Sequence, residues 1–363
     1  MTMKAFLLLD TGDVFPGEWI GQPREAVGEI VFYTGMTGYQ EVLTDPSYGG
    51  QIVTFTYPMI GNYGVHAGED ESPRPQAAGI VVGEYCPHPS PYGKAETLAE
   101  KLDRHGIPGI SGIDTRAVTT IVREKGLVRG RLSCESRWPR HVEWPDSLSL
   151  EWVQKASVTL PETYGKNDGR PHIVLIDYGR KQSIVEALLA HGCRVTAVPF
   201  NWSNEQILAL RPDGLLLSNG PGDPQALSPY AQRLRPLLEQ LPTLGICLGQ
   251  QVVALAFGAS TERMPYGHRG SNHPVKSVST DKVWITSQNH GYVVVKESLD
   301  PDEWELTYVN VNDESVEGFR HKRYPIQCVQ FHPEARPGPA EAEVIFQQFV
   351  RKVNRQRKET TYA

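Results

Sequence analysis

The second half of this chain alternates short apolar runs with stretches of helical spacing, and that alternation constrains its fold more than any other feature. Residues 172–177 read HIVLID, 194–199 RVTAVP, 214–218 GLLLS and 243–246 TLGI. Each run is short, β-rich and apolar on both faces, as strands buried in a parallel sheet are. Between them, 181–191, 205–210 and 230–240 carry helical spacing, and a further helix over 248–257 ends at Gly258. Strands separated by helices of this length predict a parallel sheet covered on both sides. Shorter runs at 283–286, 292–295, 305–309, 316–319 and 326–330 predict an antiparallel extension. A last helix is expected over 340–354, and the basic stretch RKVNRQRK that ends it reads as a solvated helix end.

The first half has more β character. Strands are expected at 5–9, 27–33, 51–57 and 79–82, and helices at 95–105 and 115–125, the second N-capped by Asp114. DESPRPQ (70–76) and CPHPSPYG (86–93) are proline-rich loops. The polar segment 135–170 lacks a sustained apolar stripe apart from a short helix at 148–156. The expected organisation is therefore α/β throughout: an N-terminal α/β domain rich in strands over 1–140, a linker over 141–170, and a doubly wound, mostly parallel sheet over 171–358. Two domains suit a length of 363 residues at ~150 residues each.

Composition narrows the function classes. A formal net charge of −6 gives no reason to expect nucleic acid or an anionic membrane as partner. The five cysteines (Cys86, Cys134, Cys193, Cys247 and Cys328) are odd in number and scattered, with no CxxC pair. This argues against a disulfide framework or structural zinc and for a reducing cytoplasm. MTMKAFLLLD is interrupted by Asp10 and reads as a first strand rather than a leader, and no run approaches the ~20 apolar residues of a membrane span.

Three motifs carry chemistry. In LGICLGQQ (244–251), Cys247 sits where a buried strand turns into a helix, with Gly245 and Gly249 two residues away on either side. G-x-C-x-G is the spacing of a nucleophile elbow, with sulfur in place of the hydroxyl. A thiol there projects at the sheet edge onto a helix N-terminus, whose oriented N–H groups favour a sulfur anion. The N–H of Leu248 is placed to stabilise an oxyanion. In QFHPEA (330–335), His332 follows a buried strand and emerges at the same sheet edge, with Glu334 able to hold its tautomer. In SNGPGDP (218–224), rigid backbone can present N–H donors, Gly222 in particular, and the missing third glycine argues against a dinucleotide fingerprint. Singly, each motif has a plain structural reading as core thiol, solvated loop or β-turn. Their order along one chain favours the chemical one.

GICLGQQ, SNGPGDP and FHPEA together resemble the class I, triad-type glutamine amidotransferases, over about 171–354. The stretches GEIVFYTGMTGYQEVLTDPSYGGQIVTFTYPMIGNYG (28–64) and GIDTRAVTTIVREKG (112–126), with GHRGSNHPV and SQNHGY, resemble the carbamoyl-phosphate synthase small-chain family. The resemblance implies a flavodoxin-like C-terminal fold and a Cys247–His332–Glu334 triad. It implies L-glutamine contacts at Ser47, Gly220, Gly222, Leu248, Gln251, Asn289, Gly291 and Tyr292, with Gly222 and Leu248 as the oxyanion hole. Gln250 stands where relatives often carry His, and Tyr292 where Phe is common; activity is expected to survive both.

The resemblance further implies glutaminase activity whose ammonia serves carbamoyl phosphate synthesis for arginine, pyrimidines or both. No GxxxxGK[ST] loop occurs in the chain. ATP, Mg and bicarbonate are therefore expected on a separate large subunit, in a heterodimer or higher oligomer, docked through the first domain, and this chain is expected to bind no cofactor itself. A different amidotransferase pathway, or a silent regulatory subunit, stays open as an alternative. His268 and His273 in GHRGSNHP suggest a metal site at first sight. No cysteine or carboxylate lies at ligand spacing, so the expectation is no metal and a Gly/Asn-rich loop held by hydrogen bonds.

Overall fold

A computed structural model describes residues 3–90, 96–144 and 149–362. Residues 91–93 of the second proline-rich loop, residue 95 of the first expected helix, and residues 145–148, including the first residue of the expected linker helix, lie outside the described residues. The chain divides into two compact units, Met1–Ser147 and Leu148–Ala363.

In the first unit seven strands close into a barrel. In barrel order they are Lys4–Leu9, Val14–Ile20, Gly109–Ser111, Gly79–Val81, Gln51–Phe55, Ala26–Tyr33 and Arg129–Ser133, which pairs back onto Lys4–Leu9. Alternation of side chains sends Val31, Tyr33, Val53, Phe55 and Ile80 into one cluster with Leu98 and Leu102 of the helix Leu98–His105. Ile30, Phe32, Ile52 and Val81 join Val118 and Val122 of the helix Thr115–Lys125 in another. Both faces of the wall are thus covered. Asp114 caps the second helix as expected, its carboxylate accepting from Ala117 N–H at 2.9 Å.

The second unit is built on a ten-stranded sheet. Its order is Glu162–Tyr164, Arg194–Pro199, His172–Asp177, Gly214–Leu217, Thr243–Ile246, Ile326–Val329, Val316–His321, Trp304–Asn310, Thr261–Ser277 and Val283–Val294. The five strands from Arg194–Pro199 to Ile326–Val329 pair in parallel, and the rest antiparallel. Val174, Ile176, Leu215 and Leu217 pack on one side with residues of the helices Ser228–Leu238 and Leu248–Ala256. Ile173, Leu175, Leu216 and Leu244 pack on the other with Ile184, Val185, Phe346 and Phe349. This is the doubly wound arrangement the alternation predicts. Among the described residues no helix is long and apolar enough to cross a membrane.

Two segments differ from the sequence reading. The end of the 141–170 linker is part of the second unit: Glu162–Tyr164 adds an edge strand to Arg194–Pro199, Val153 is buried, and Val158 N–H donates to Asp177 Oδ2 at 3.0 Å. GHRGSNHP is not a loop but the middle of the strand Thr261–Ser277, broken by register shifts at Arg263/His268 and Gly270/His273. Those irregularities absorb the glycines that suggested a loop. Its partner, expected as two short strands, is the single strand Val283–Val294.

Candidate active site

The strands ending at Ile246 and Val329 are parallel neighbours, with Gly245 opposite Cys328 and Ile246 opposite Val329. Whatever follows each of them therefore leaves the sheet at the same edge. After the first comes Cys247, and after the second the turn carrying His332 and Glu334.

Cys247 caps the helix Leu248–Ala256 with φ 54° and ψ −109°, a conformation that costs an L-residue energy. Two glycines make the elbow possible. A Cβ on Gly249 would lie 2.1 Å from the Leu217 carbonyl oxygen, and one on Gly245 would lie 2.9 Å from the Gly249 oxygen. The strand and the helix start pass too closely for any side chain. Contrary to the expectation of a projecting thiol, Cys247 is buried, and its thiol donates to the Asn289 carbonyl at 3.6 Å.

The His332 turn is held from several sides. Its backbone N–H donates to the Ser287 carbonyl at 2.9 Å, and Ala335 at φ 58° folds the chain back. Nδ1–H then donates to Glu334 Oε1 at 2.6 Å. This fixes the tautomer and leaves Nε2, buried, as the ring nitrogen free to interact with the Cys247 sulfur. Burial opposes charge on the ring, but the Glu334 carboxylate and the Cys247 sulfur outweigh it and raise the imidazole to about 10.

The sequence reading missed Lys181. This buried lysine donates to Glu334 Oε1 at 2.9 Å and to the Arg336 carbonyl. Burial raises the Glu334 pKa, yet Lys181 and His332 together bring it down to about 2. The lysine backbone N–H donates to Asn219 Oδ1 at 3.1 Å, and Ser218 Oγ accepts from Tyr178 N–H at 3.0 Å. The loop after His172–Asp177 is thereby tied to the SNGPGDP loop. In that loop a Cβ on Gly220 would meet the Tyr178 carbonyl at 2.4 Å, and Gly222 stands at φ 92°.

The other expected contacts fall as follows. Leu248 and Gln251 lie in the first turns of the helix after Cys247, and Asn289, Gly291 and Tyr292 on the strand Val283–Val294. Gln251 Nε2 donates to the Tyr292 carbonyl at 2.7 Å. The Tyr292 hydroxyl, absent from the commoner Phe, accepts from Arg263 at 3.4 Å. Gln250 is buried, its amide 3.4 Å from Gln330 Oε1. Ser47 belongs to the first unit, in the turn Pro46–Tyr48, where its N–H donates to Asp45 Oδ1 at 2.9 Å.

The histidines of GHRGSNHP do gain carboxylates in space. His268 Nε2 pairs with Asp313 at 2.9 Å, and its Nδ1 lies 3.6 Å from Glu317. Donor atoms of His268, His290 and Glu317 lie within 4.8 Å of one another. Glu317 Oε1 also accepts from Gln288 at 2.9 Å and Asn310 at 3.0 Å.

Comparison with known proteins agrees with both halves. Residues 7–132 match the family model described as "Carbamoyl-phosphate synthase small chain, CPSase domain", and residues 174–352 the one described as "Glutamine amidotransferase class-I". The chain is 48% identical over 361 residues to the carbamoyl phosphate synthase arginine-specific small chain of Halalkalibacterium halodurans, covering 99% of this chain and 100% of that one. It is 46% identical, with the same coverage, to the protein of that name from Bacillus subtilis. The carbamoyl phosphate synthase small chain of Listeria monocytogenes is 46% identical over 352 residues, covering 97% of each chain. Because this identity runs through the barrel unit as well as the elbow-bearing sheet, the chain belongs to the carbamoyl phosphate synthase small chain family.

Proposed function

We propose that this chain is the glutaminase subunit of a glutamine-dependent carbamoyl phosphate synthase: it hydrolyses the side-chain amide of L-glutamine through Cys247 and passes ammonia to a large subunit that holds ATP, Mg and bicarbonate. The observation that carries the reading is the strained Cys247 elbow beside a strand whose end carries the His332–Glu334 pair.

The Cys247 proton passes to His332 Nε2, and the sulfur attacks the amide carbon. Charge developing on the amide oxygen is received by the N–H groups of Leu248 and Gly222. His332 protonates the nitrogen as the C–N bond breaks, releasing ammonia and leaving a glutamyl thioester. Water then attacks the thioester with His332 as base, and glutamate departs as the sulfur regains its proton. Glu334 holds the imidazolium throughout. Glutamine contacts at Gly220, Gly222, Leu248, Gln251, Asn289, Gly291 and Tyr292 belong to the same proposal.

Five cysteines without a disulfide suit a reducing cytoplasm, where the large subunit would be met. The arginine-specific names of the H. halodurans and B. subtilis relatives favour supply to arginine over pyrimidines. The test is carbamoyl phosphate synthesis from ATP, bicarbonate and either glutamine or ammonia, with the large chain added. Cys247→Ser should abolish glutamine-dependent synthesis and spare ammonia-dependent synthesis. Glutamine-dependent synthesis persisting in a folded Cys247→Ser complex would overturn the reading.

A further inference from the structure

Gln330 lies beyond the strand Ile326–Val329, two residues before His332, and is fully buried. Its backbone N–H donates to the Glu317 carbonyl at 2.9 Å. Its side chain meets Gln251 deep in the unit, and hydrogen-bond chemistry alone decides which atoms meet. The Gln251 atom 2.7 Å from the Tyr292 carbonyl has to be a donor, so it is Nε2. The Gln330 atom 2.9 Å from that same Nε2 has to be an acceptor, so it is Oε1. Both N–H bonds of Gln251 are thereby spent inside the protein. What remains for a ligand is Gln251 Oε1, an acceptor only.

Gln251 stands four residues after Cys247, one helical turn along the same face. A glutamine whose amide carbon sits at the sulfur extends its α-carbon over about that distance. Of the groups at that end, the α-ammonium can donate to an oxygen and the α-carboxylate cannot.

We propose that Gln330 is a positioning residue which locks the Gln251 amide with its oxygen toward the substrate, so that the site selects for an α-ammonium group. The proposal rests on the glutaminase reading above. Without Gln330 the Gln251 amide keeps one anchor, the Tyr292 carbonyl, and can swing about that single bond, so that its oxygen is no longer held on the ammonium. Gln250, whose amide lies 3.4 Å from the same Gln330 oxygen, braces it from the other side.

The test compares glutamine with glutaramate, the same amide lacking the α-amino group, in the complex with the large chain. Gln330→Met keeps the volume and removes the acceptor. It should raise the glutamine KM about tenfold or more, the cost of one misplaced buried hydrogen bond. It should leave kcat within about threefold and cut the preference for glutamine over glutaramate by a similar factor. Gln251→Ala should do the same, and the double variant should be no worse than either single one. An unchanged preference in Gln330→Met, or effects that multiply in the double variant, would overturn the proposal and leave the glutaminase reading standing. Wild-type complex that releases no ammonia from glutamine sinks both. Co-purification with the large chain and the thermal melt of the complex report whether each variant is folded. Should Gln330→Met fail these controls, Gln330→Glu retains an oxygen for Gln251, and its preference for glutamine should stay near wild type; a lost preference there overturns the proposal.

Discussion

The Lys181 ammonium and the His332 ring share a single oxygen, Glu334 Oε1, at 2.9 and 2.6 Å. Lysine and carboxylate are both almost fully buried. The carboxylate is therefore held ionised by two cations at once, and its pull on the imidazolium is tempered by the lysine.

Replacing Lys181 by Met removes one of those cations. Breaking a buried ion pair typically costs ~3–5 kcal/mol of stability, because the surviving charge loses its compensation. Lys181→Met should accordingly melt well below wild type. Partners one shell out typically contribute ~10–100-fold to function. The glutaminase kcat should fall in that range while the glutamine KM stays close to wild type, because Lys181 acts through Glu334. Steady-state kinetics separate the two, and a variant whose KM alone rises would place Lys181 on the substrate instead.

Much of this arrangement was legible in the sequence, for local reasons. HIVLID and TLGI are short, apolar runs typical of buried strands, and Asp114 marks the start of the helix Thr115–Lys125. The elbow was readable because its G-x-C-x-G spacing sits within five residues. The barrel was not: Val14–Ile20 contains Pro16 and Gly17, and Arg129–Ser133 alternates charge with glycine, so neither shows an apolar run. Lys181 was invisible because its partner is 153 residues away. The Asp313 and Glu317 carboxylates reach His268 only through pairing of strands, which no spacing rule captures.

The glycines of the elbow give a direct steric prediction. Gly249→Ala forces a methyl group onto the Leu217 carbonyl, which as backbone cannot swing aside. Overpacking of this kind typically costs ~1–3 kcal/mol and more where the backbone must move. Gly258→Ala is the control: nothing lies within 4 Å of its added Cβ, and only its φ of 86° resists. Urea unfolding should show the larger loss for Gly249→Ala; equal losses would mean the close approach is not what requires glycine there.

The histidines of the second unit set opposite pH limbs. Burial opposes charge on His268, but Asp313 and Glu317 outweigh it and lift the ring to about 9, as His332 is lifted to about 10. Stability from a raised pKa is fully present below the unfolded value near 6.5 and is lost as pH rises through the folded value. Burial and the neighbouring His268 charge push His273 down to about 4 and His290 well below its ordinary value. The unfolded chain binds those protons first, so stability falls as pH drops from about 6.5 toward 4. Thermal melts should peak near neutrality. His268→Asn should flatten the limb between about 6.5 and 9, and His273→Asn the limb between about 4 and 6.5; a variant that lowers the melt equally at every pH would refute its assignment.

Backbone strain at Cys247 makes the last prediction. An L-residue at φ 54°, ψ −109° stores of order 1–3 kcal/mol, which glycine does not. Replacing Cys247 by Ala keeps the strain and removes the sulfur; replacing it by Gly removes both. In an ordinary buried position the Ala variant is the more stable of the two. Here the order should reverse, with Cys247→Gly melting a few degrees above Cys247→Ala, since ~1 kcal/mol moves the midpoint by about 2–4 °C in a unit of this size. Both should lack glutaminase activity, which separates the conformational cost of the elbow from its chemistry. An Ala variant that melts above the Gly variant would mean the positive φ carries no strain, and the thiol would then be held in place by its neighbours rather than against its own backbone.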